Sequence, residues 1–359
     1  MKNVAIVGIQ GVPAQYGGFE TLVENIIGKN CSSHVKYTIF CSSKDEQNQF
    51  KFYKGARLEY IPLHANGVQS ILYDIWGMMR TLHGYDDVVI LGVSGCLFLP
   101  VYRLLCHHKI IINIDGLEFR RAKWGHVARR FLKMSCNFAI KWADTIVADN
   151  QGIWNYVKDT YQKEAVLIAY GGDHVLRNVS EGQQQEILKK YNVLPGQYAI
   201  TICRIEPENN SHIILKAFAE TGKKLIFIGN WNQSKYSRNL KEQYGQIDNI
   251  HLINSLYNLD ELFALRNHCS LYVHGHSAGG TNPSLVEAMF FGIPILAFDV
   301  IYNRETTANK AYYFNNAEEL EKLLNIGKPE LSENGKAMKK IAQTRYLWKK
   351  IAKQYEDLY

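Results

Sequence analysis

Hydrophobic and polar positions alternate along this chain in two rhythms that trade places from end to end. Short apolar runs fall at Val4–Val7, Tyr37–Phe40, Val88–Leu91, Ile110–Ile114 and Thr145–Ala148, and stretches of helical period lie between them. In the first such stretch Phe19, Leu22, Val23, Ile26 and Ile27 fall on one helical face. A second set of strands is expected at Tyr198–Cys203, Lys224–Ile228, Ile250–Ile253, Leu271–His274 and Ile295–Phe298. Strand and helix in strict alternation predict parallel sheets, so the economical reading is two doubly wound α/β domains. The polar segment His174–Gln197, with its Pro-Gly turn, reads as the passage between them. Near the end Leu347, Ile351, Tyr355 and Leu358 have helical spacing and predict a closing helix. The expected domains are 1–175, 176–340 and a terminal helix in 341–359 that packs back on the first domain.

Composition narrows the class. With 359 residues, 47% of them hydrophobic, the chain can bury two ordinary cores. A net charge of +7 permits an anionic partner and is too small to point to nucleic acid. Seven cysteines, odd in number and without a C-x-x-C pair, read as small core residues in a reducing compartment. MKNVAIVGIQG enters a strand directly, which predicts no signal peptide and a cytoplasmic protein. Val88–Cys106 is apolar, but Gly92, Gly95, Pro100 and Arg103 suit a buried strand followed by a helix better than a membrane span.

One carboxylate stands out. In LYVHGHSAGGTNPSLVEAMFFGIPILAFDV, a strand gives way at Gly279-Gly280 to a helix that begins near Thr281 or Asn282, takes Pro283 at its first position, and stops at Gly292. Leu285, Val286, Ala288, Met289, Phe290 and Phe291 make that helix apolar all round, so Glu287 needs a partner. Ribose hydroxyls can donate to it while the helix N-terminus, Thr281–Ser284, holds phosphates; a neighbouring arginine or backbone group would satisfy it equally.

Ligands of open parallel sheets gather beyond the carboxyl ends of the strands, and three more segments there carry chemistry. GIQGVPAQYGGFET has Gly8, Gly11, Gly17 and Gly18 before a helix, which allows close backbone approach to a phosphate or sugar. Its spacing is not G-x-G-x-x-G, and the second strand ends in Phe40-Cys41-Ser42 without a ribose-binding acid, which argues against a nicotinamide dinucleotide. Asp115 ends a strand beside Gly116, where it serves equally as an active-site acid or a turn cap. Arg204 follows the first strand of the second half, where it could offset charge on a departing diphosphate or pair across to another domain. From Arg120 to Lys133 six basic residues and no acidic one are interleaved with Trp124, Val127, Phe131 and Leu132; such a run can lie on anionic lipid or be a solvated face.

GVPAQYGGFET, DGLEFRRAKW, ADTIVADNQGI, CRIEPENN and GGTNPSLVEAM together resemble the GT-B glycosyltransferases of family 4, and more closely their bacterial rhamnosyltransferase-like subgroup, over essentially the whole chain. The resemblance implies two Rossmann-like domains facing across a cleft and metal-independent transfer from a nucleotide-sugar with retention of configuration. It gives no cofactor role to any residue, and the chain has no D-x-D metal–diphosphate motif. It implies that Glu287 binds the nucleoside sugar, that Gly280, Thr281, Asn282, Pro283 and Ser284 hold the diphosphate, and that Arg204 acts on the leaving phosphate. Gly17 and Gly18 would lie against donor and acceptor, with Glu20, Arg120, Arg121, Lys123 and Trp124 on the acceptor or membrane side and Asp115 taking the place of a common histidine. Two departures matter: Gly279 stands where the family often has a glutamate, and Asn209 where it often has a lysine. The subgroup favours dTDP-L-rhamnose as donor and a lipid-linked saccharide as acceptor, on the inner face of the cytoplasmic membrane. A UDP-hexose donor, a nucleotide-sugar epimerase and a catalytically silent nucleotide-binding subunit are the alternatives.

Overall fold

The structure, a computed structural model, describes residues 1–14, 17–29, 34–121 and 124–359. The chain folds as two compact units, one of residues 1–170 with 348–359 and one of 171–347.

The first unit runs β1 (Lys2–Val7), α1 (Gly18–Gly28), β2 (Val35–Ser42), β3 (Phe52–Tyr53), β4 (Ala56–Ile61), α2 (Gln69–Arg80), β5 (Asp87–Leu91), α3 (Leu99–Leu105), β6 (Lys109–Asn113), α4 (His126–Trp142), β7 (Thr145–Ala148), α5 (Gln151–Tyr161) and β8 (Val166–Leu167). Its eight strands lie in the order β3-β4-β2-β1-β5-β6-β7-β8, all parallel except the β3–β4 pair. The second runs α6 (Glu181–Lys190), β9 (Ala199–Ile202), α7 (Ser211–Thr221), β10 (Leu225–Ile228), α8 (Lys235–Tyr244), β11 (Ile250–Ile253), α9 (Leu259–His268), β12 (Leu271–His274), α10 (Pro283–Phe290), β13 (Ile295–Phe298), α11 (Ile301–Thr306), β14 (Tyr312–Phe314), α12 (Ala317–Leu324) and α13 (Lys328–Arg345). Its sheet, β11-β10-β9-β12-β13-β14, is parallel throughout. In both sheets the chain first steps outward one way and then crosses back to step the other, the doubly wound arrangement expected from the alternation. The order reverses between β1 and β5 in one unit and between β9 and β12 in the other.

The closing helix, α14 (Trp348–Glu356), belongs to the first unit, where Trp348, Ile351 and Tyr355 join the core beneath α1. Leu347 lies before it, half exposed. The return therefore begins at Trp348, later than the 341 expected. The chain also passes between units earlier than expected, at Tyr170–Gly171. His174–Gln197, read from its polarity as a linker, is part of the second unit. It holds α6, whose cap is reciprocal: the Ser180 side chain accepts from the Gln183 N–H and the Gln183 side chain accepts from the Ser180 N–H. A surface helix that buries a single leucine, Leu188, has a linker's composition because few of its residues face a core.

One core feature has a measurable consequence. Tyr73 on α2 donates to the carbonyls of Ile9 (2.7 Å) and Phe40 (2.9 Å), which draws α2 onto the sheet and buries its neighbour Asp74. Burial pushes the Asp74 carboxyl up to about 7 against hydrogen bonds from the Ser94 side chain and the Gly95 N–H. The folded state thus holds a proton that the unfolded chain has released, so this group's contribution is fully present below the ordinary carboxylate range and is lost as pH rises toward 7. A shift of about three units corresponds to a ceiling of roughly 4 kcal/mol. Asp74→Asn, an isostere of the protonated acid, is expected to match the native protein in thermal melting near pH 4.5 and to melt higher at pH 8. Equal melting curves at both pH values would remove Asp74 from this account.

Candidate functional site

The sequence places its chemistry after β9 and β12, and these are the two strands at which the second sheet reverses its order. The turn after β12 approaches the loop after β9 so closely that a Cβ on Gly275 would lie 2.1 Å from the Asn209 carbonyl oxygen. Asn209 is buried. Its amide donates to the Arg204 carbonyl (2.7 Å), and its Oδ1 lies 2.7 Å from His276 Nδ1. The residue read as a missing positive charge is therefore a brace between the Arg204 loop and the β12 turn. Asn303 on α11 extends the brace by donating to the His276 carbonyl (2.8 Å) and the Phe298 carbonyl (2.9 Å). The Arg204 side chain keeps about a third of its surface exposed, and its guanidinium stands 3.9 Å from Glu206 in the same loop.

Gly279, at φ 127°, turns the chain into α10 in a conformation that side-chain-bearing residues rarely adopt. Gly280 and Thr281 are buried. Asn282 caps the helix, its side chain accepting from the Ser284 N–H (3.0 Å), and Pro283 takes the first helical position. The helix start, with Pro283 at its first position, is the one expected from the sequence. The turn of backbone N–H groups at residues 282–284 carries the positive end of the helix.

Glu287 has partners that the sequence did not identify. Arg266, buried on α9, places Nη2 2.5 Å from Glu287 Oε2. His174 places Nε2 3.5 Å from Oε1. The short 173–175 turn reaches α10 because residue 172 is glycine: a Cβ there would meet Val286 and Phe290 at 2.9 Å. The arginine partner weighed as one of two alternatives is thus present. It leaves Oε1 toward His174 and fixes the carboxylate one turn inside α10, with part of its side chain exposed. His274, just before this turn, is buried in the sheet, and burial pushes its imidazole down to about 3, so it is neutral at physiological pH.

In the first unit the corresponding position is the loop after β1. A Cβ on Gly8 would lie 2.2 Å from the Leu91 carbonyl oxygen, so β1 and β5 run together here only because Gly8 has none. Gly17, at φ 117°, precedes α1, and Gly18 begins it. Glu20 folds back so that its Oε1 accepts from the Gln10 N–H (2.8 Å). Burial raises the Glu20 carboxyl, the Gln10 hydrogen bond opposes it, and the charges of Glu46 and Asp115 raise it further. Asp115 stands at φ 56° after β6, and its N–H donates to Asn113 Oδ1 (3.0 Å). Asn113 in turn donates to the Tyr355 hydroxyl (2.9 Å) on α14, so the returning helix steadies the Asp115 turn.

The start of the basic run is held against the first unit. Arg121 pairs with Glu118 (2.8 Å), and the Trp124 indole N–H donates to the same carboxylate (3.1 Å). Arg120 lies over the Tyr156 ring at 4.9 Å. Glu118 sits just before the acid-free run, so counting charge from Arg120 onward hid the group that holds Arg121 and Trp124 inward. Lys123 lies outside the described residues, as do Gln15 and Tyr16 of the glycine loop and Cys31; the other six cysteines are free. Among the described residues no group of three His, Cys, Asp or Glu side chains is placed to hold a metal ion, and no helix is long and apolar enough to cross a membrane.

Comparison with known proteins bears on both units. Residues 1–173 match a family described as a domain of unknown function, DUF1972, and residues 183–344 match the family "Glycosyl transferases group 1". No curated protein matches the sequence significantly. Among solved structures, the sucrose-phosphate synthase of Thermosynechococcus elongatus superposes with a TM-score of 0.82 at 14% identity, covering 100% of this chain and 98% of its own. HepE of Anabaena in complex with UDP-glucose gives 0.78 at 14% identity, covering 100% and 99%. MnaA of S. aureus with UDP gives 0.65 at 13% identity, covering 99% and 95%. At these identities the likeness is one of fold, and the fold is the GT-B type expected.

Proposed function

We propose that this glycosyltransferase of GT-B fold moves a hexose from a UDP-linked donor to a lipid-linked saccharide, with retention of configuration and without a metal. The observation that carries the reading is the Glu287–Arg266 pair. A fixed, partly exposed carboxylate stands one turn inside a helix whose capped N-terminus follows the sheet's reversal point. In that position Oε1 can accept from ribose hydroxyls while the N–H groups at 282–284 hold the diphosphate. UDP is favoured because structures of this fold are described with UDP and with UDP-glucose bound. The match of residues 183–344 to group 1 glycosyl transferases supports donor binding by the second unit.

Arg204 is assigned to the leaving diphosphate. If the acceptor hydroxyl attacks from the face the diphosphate leaves, a phosphate oxygen takes its proton. A guanidinium and a helix N-terminus then offset the growing charge, and little side-chain base is needed. The first unit, with Gly17, Gly18, Glu20 and Asp115, is assigned to the acceptor, at the inner face of the cytoplasmic membrane. A second reading, dTDP-L-rhamnose as donor, has Gly279 in its favour: a position where related enzymes often carry a glutamate toward the donor hexose here has no side chain and a backbone suited to glycine.

Thermal shifts against UDP, dTDP, GDP, ADP and NAD, with and without magnesium, test this directly. A nucleotide at about a hundred times its dissociation constant stabilises the folded state by roughly 2.7 kcal/mol. The expected result is a magnesium-independent shift that is largest with UDP. A larger shift with dTDP moves the donor to the rhamnose reading, and a response confined to NAD overturns both. Incubation with UDP-hexose alone is expected to leave the donor sugar unchanged; conversion to a new sugar would make the protein an epimerase.

A further inference from the structure

The first unit carries an apolar surface that its fold does not use. Val68 at the N-cap of α2 and Leu72, Trp76 and Met79 along it recur at helical spacing and are all exposed, although α2 also presents Tyr73, Gly77 and Met78 to the core. The neighbouring α3 exposes Val101, Leu104 and Leu105, with Leu104 at 82%. The two helices share a face of the sheet, since the crossovers that contain them run in the same direction and take the same hand. They are also neighbours: a Cβ on Gly95, in the lead to α3, would come within 2.5 Å of Asp74 Cβ on α2. On the far side α3 packs against α4, and Ser135 of α4 donates to the Val93 carbonyl. Seven exposed large apolar side chains on two helices of one sheet face mark a place where something docks.

Charge identifies the occupant. The acid of α2, Asp74, is buried, and α3 and α4 contain no Asp or Glu at all. The outward positions of α4 hold His126, Val127, Arg130, Lys133, Met134, Asn137 and Lys141, a face of apolar, basic and neutral polar residues without an acid. An apolar stripe beside an acid-free basic helix complements an anionic bilayer: the side chains enter the acyl boundary and the cations meet the headgroups. A protein partner or a second copy would require no such exclusion of acids. We infer that the outward face of α2, α3 and α4 is a docking surface for anionic lipid. It deepens the lipid-linked acceptor reading, and it replaces the Arg120–Trp124 segment as the membrane side, because Arg121 and Trp124 are taken up by Glu118.

The test is flotation of the full chain with vesicles of phosphatidylcholine, either neutral or doped with phosphatidylglycerol. The native protein is expected to float with the anionic vesicles. Trp76→Glu with Leu104→Glu should reduce the bound fraction about tenfold or more at unchanged melting temperature, and Arg130→Glu with Lys133→Glu should remove the preference for anionic lipid. Both pairs lie on the surface, so folding is expected to survive; as a milder probe, Trp76→Phe should bind as the native protein does while losing quenching of tryptophan emission by brominated lipid. Native protein that fails to float, or Trp76→Glu/Leu104→Glu that floats undiminished, overturns the surface. So does a native protein that self-associates in size-exclusion chromatography and becomes monomeric in the same variant. Transfer to a detergent-solubilised acceptor by protein that does not float would sink the surface and keep the acceptor; flotation without transfer to any lipid-linked saccharide would do the reverse.

Discussion

Arg266→Leu is expected to lower the stability of the protein by about 3 kcal/mol and to abolish detectable sugar transfer, although Arg266 stands one helix away from the assigned donor. Removing one member of a largely buried ion pair strands the other, which costs roughly 3–5 kcal/mol in fully buried cases and less here because Glu287 keeps some exposure. The useful variant is the double one. Arg266→Leu with Glu287→Leu removes both charges, so its melting temperature is expected to recover most of the loss while transfer and the UDP-induced thermal shift stay absent. A double variant that recovers both stability and transfer would make the pair a purely structural one, whereas Glu287→Gln that keeps full activity would remove the carboxylate from donor binding. Stability and turnover must be read together, because each alone fits a structural role.

Glu287 was legible because a single charge in a helix that is otherwise apolar all round is an anomaly at the level of the sequence. Its partner was not. Arg266 lies in LDELFALRNH, where charged and apolar residues alternate too irregularly to define one buried face, and a buried arginine there looks like an ordinary surface one. His174 was hidden for a different reason. It lies in a polar stretch whose composition resembles a linker, and its approach to α10 depends on the missing side chain of Gly172, which is a property of the packed structure. Asn209 shows how comparing residue types misleads: set against a lysine it reads as a lost charge, yet folded it ties Arg204 to His276.

The strands follow the same logic. β7, β12 and β13 stand where the apolar runs place them, because strands buried in a parallel sheet are apolar throughout, and the edge strand β11 stands where its run of Ile and Leu places it. β4 was missed since ARLEYI alternates apolar with charged residues, and β3, β8 and β14 are two or three residues long. These four lie at or next to the edges of the two sheets, where one side is less covered and the hydrophobic signal is weakest. What the sequence conveyed well was the doubly wound alternation. What it could not convey was which side chains from distant segments meet there.

Arg204→Ala is expected to lower kcat by roughly a hundred- to a thousandfold while changing KM little, the signature of a group whose interaction strengthens only as the diphosphate leaves. Its position supports that role. Arg204 is the cation carried by the loop after β9 at the reversal point, its backbone is tied to Asn209, and its side chain stays part exposed with a loose contact to Glu206. Arg204→Lys should recover part of the rate, because a point charge replaces some of the electrostatic effect without the planar fork that matches a phosphate. Asn209→Ala should give a smaller loss of kcat, since it frees the loop without removing the charge, and the melting temperature should fall with it. The contrast among the three variants isolates the charge: a rate that follows melting temperature rather than the presence of a cation at position 204 would assign Arg204 to structure.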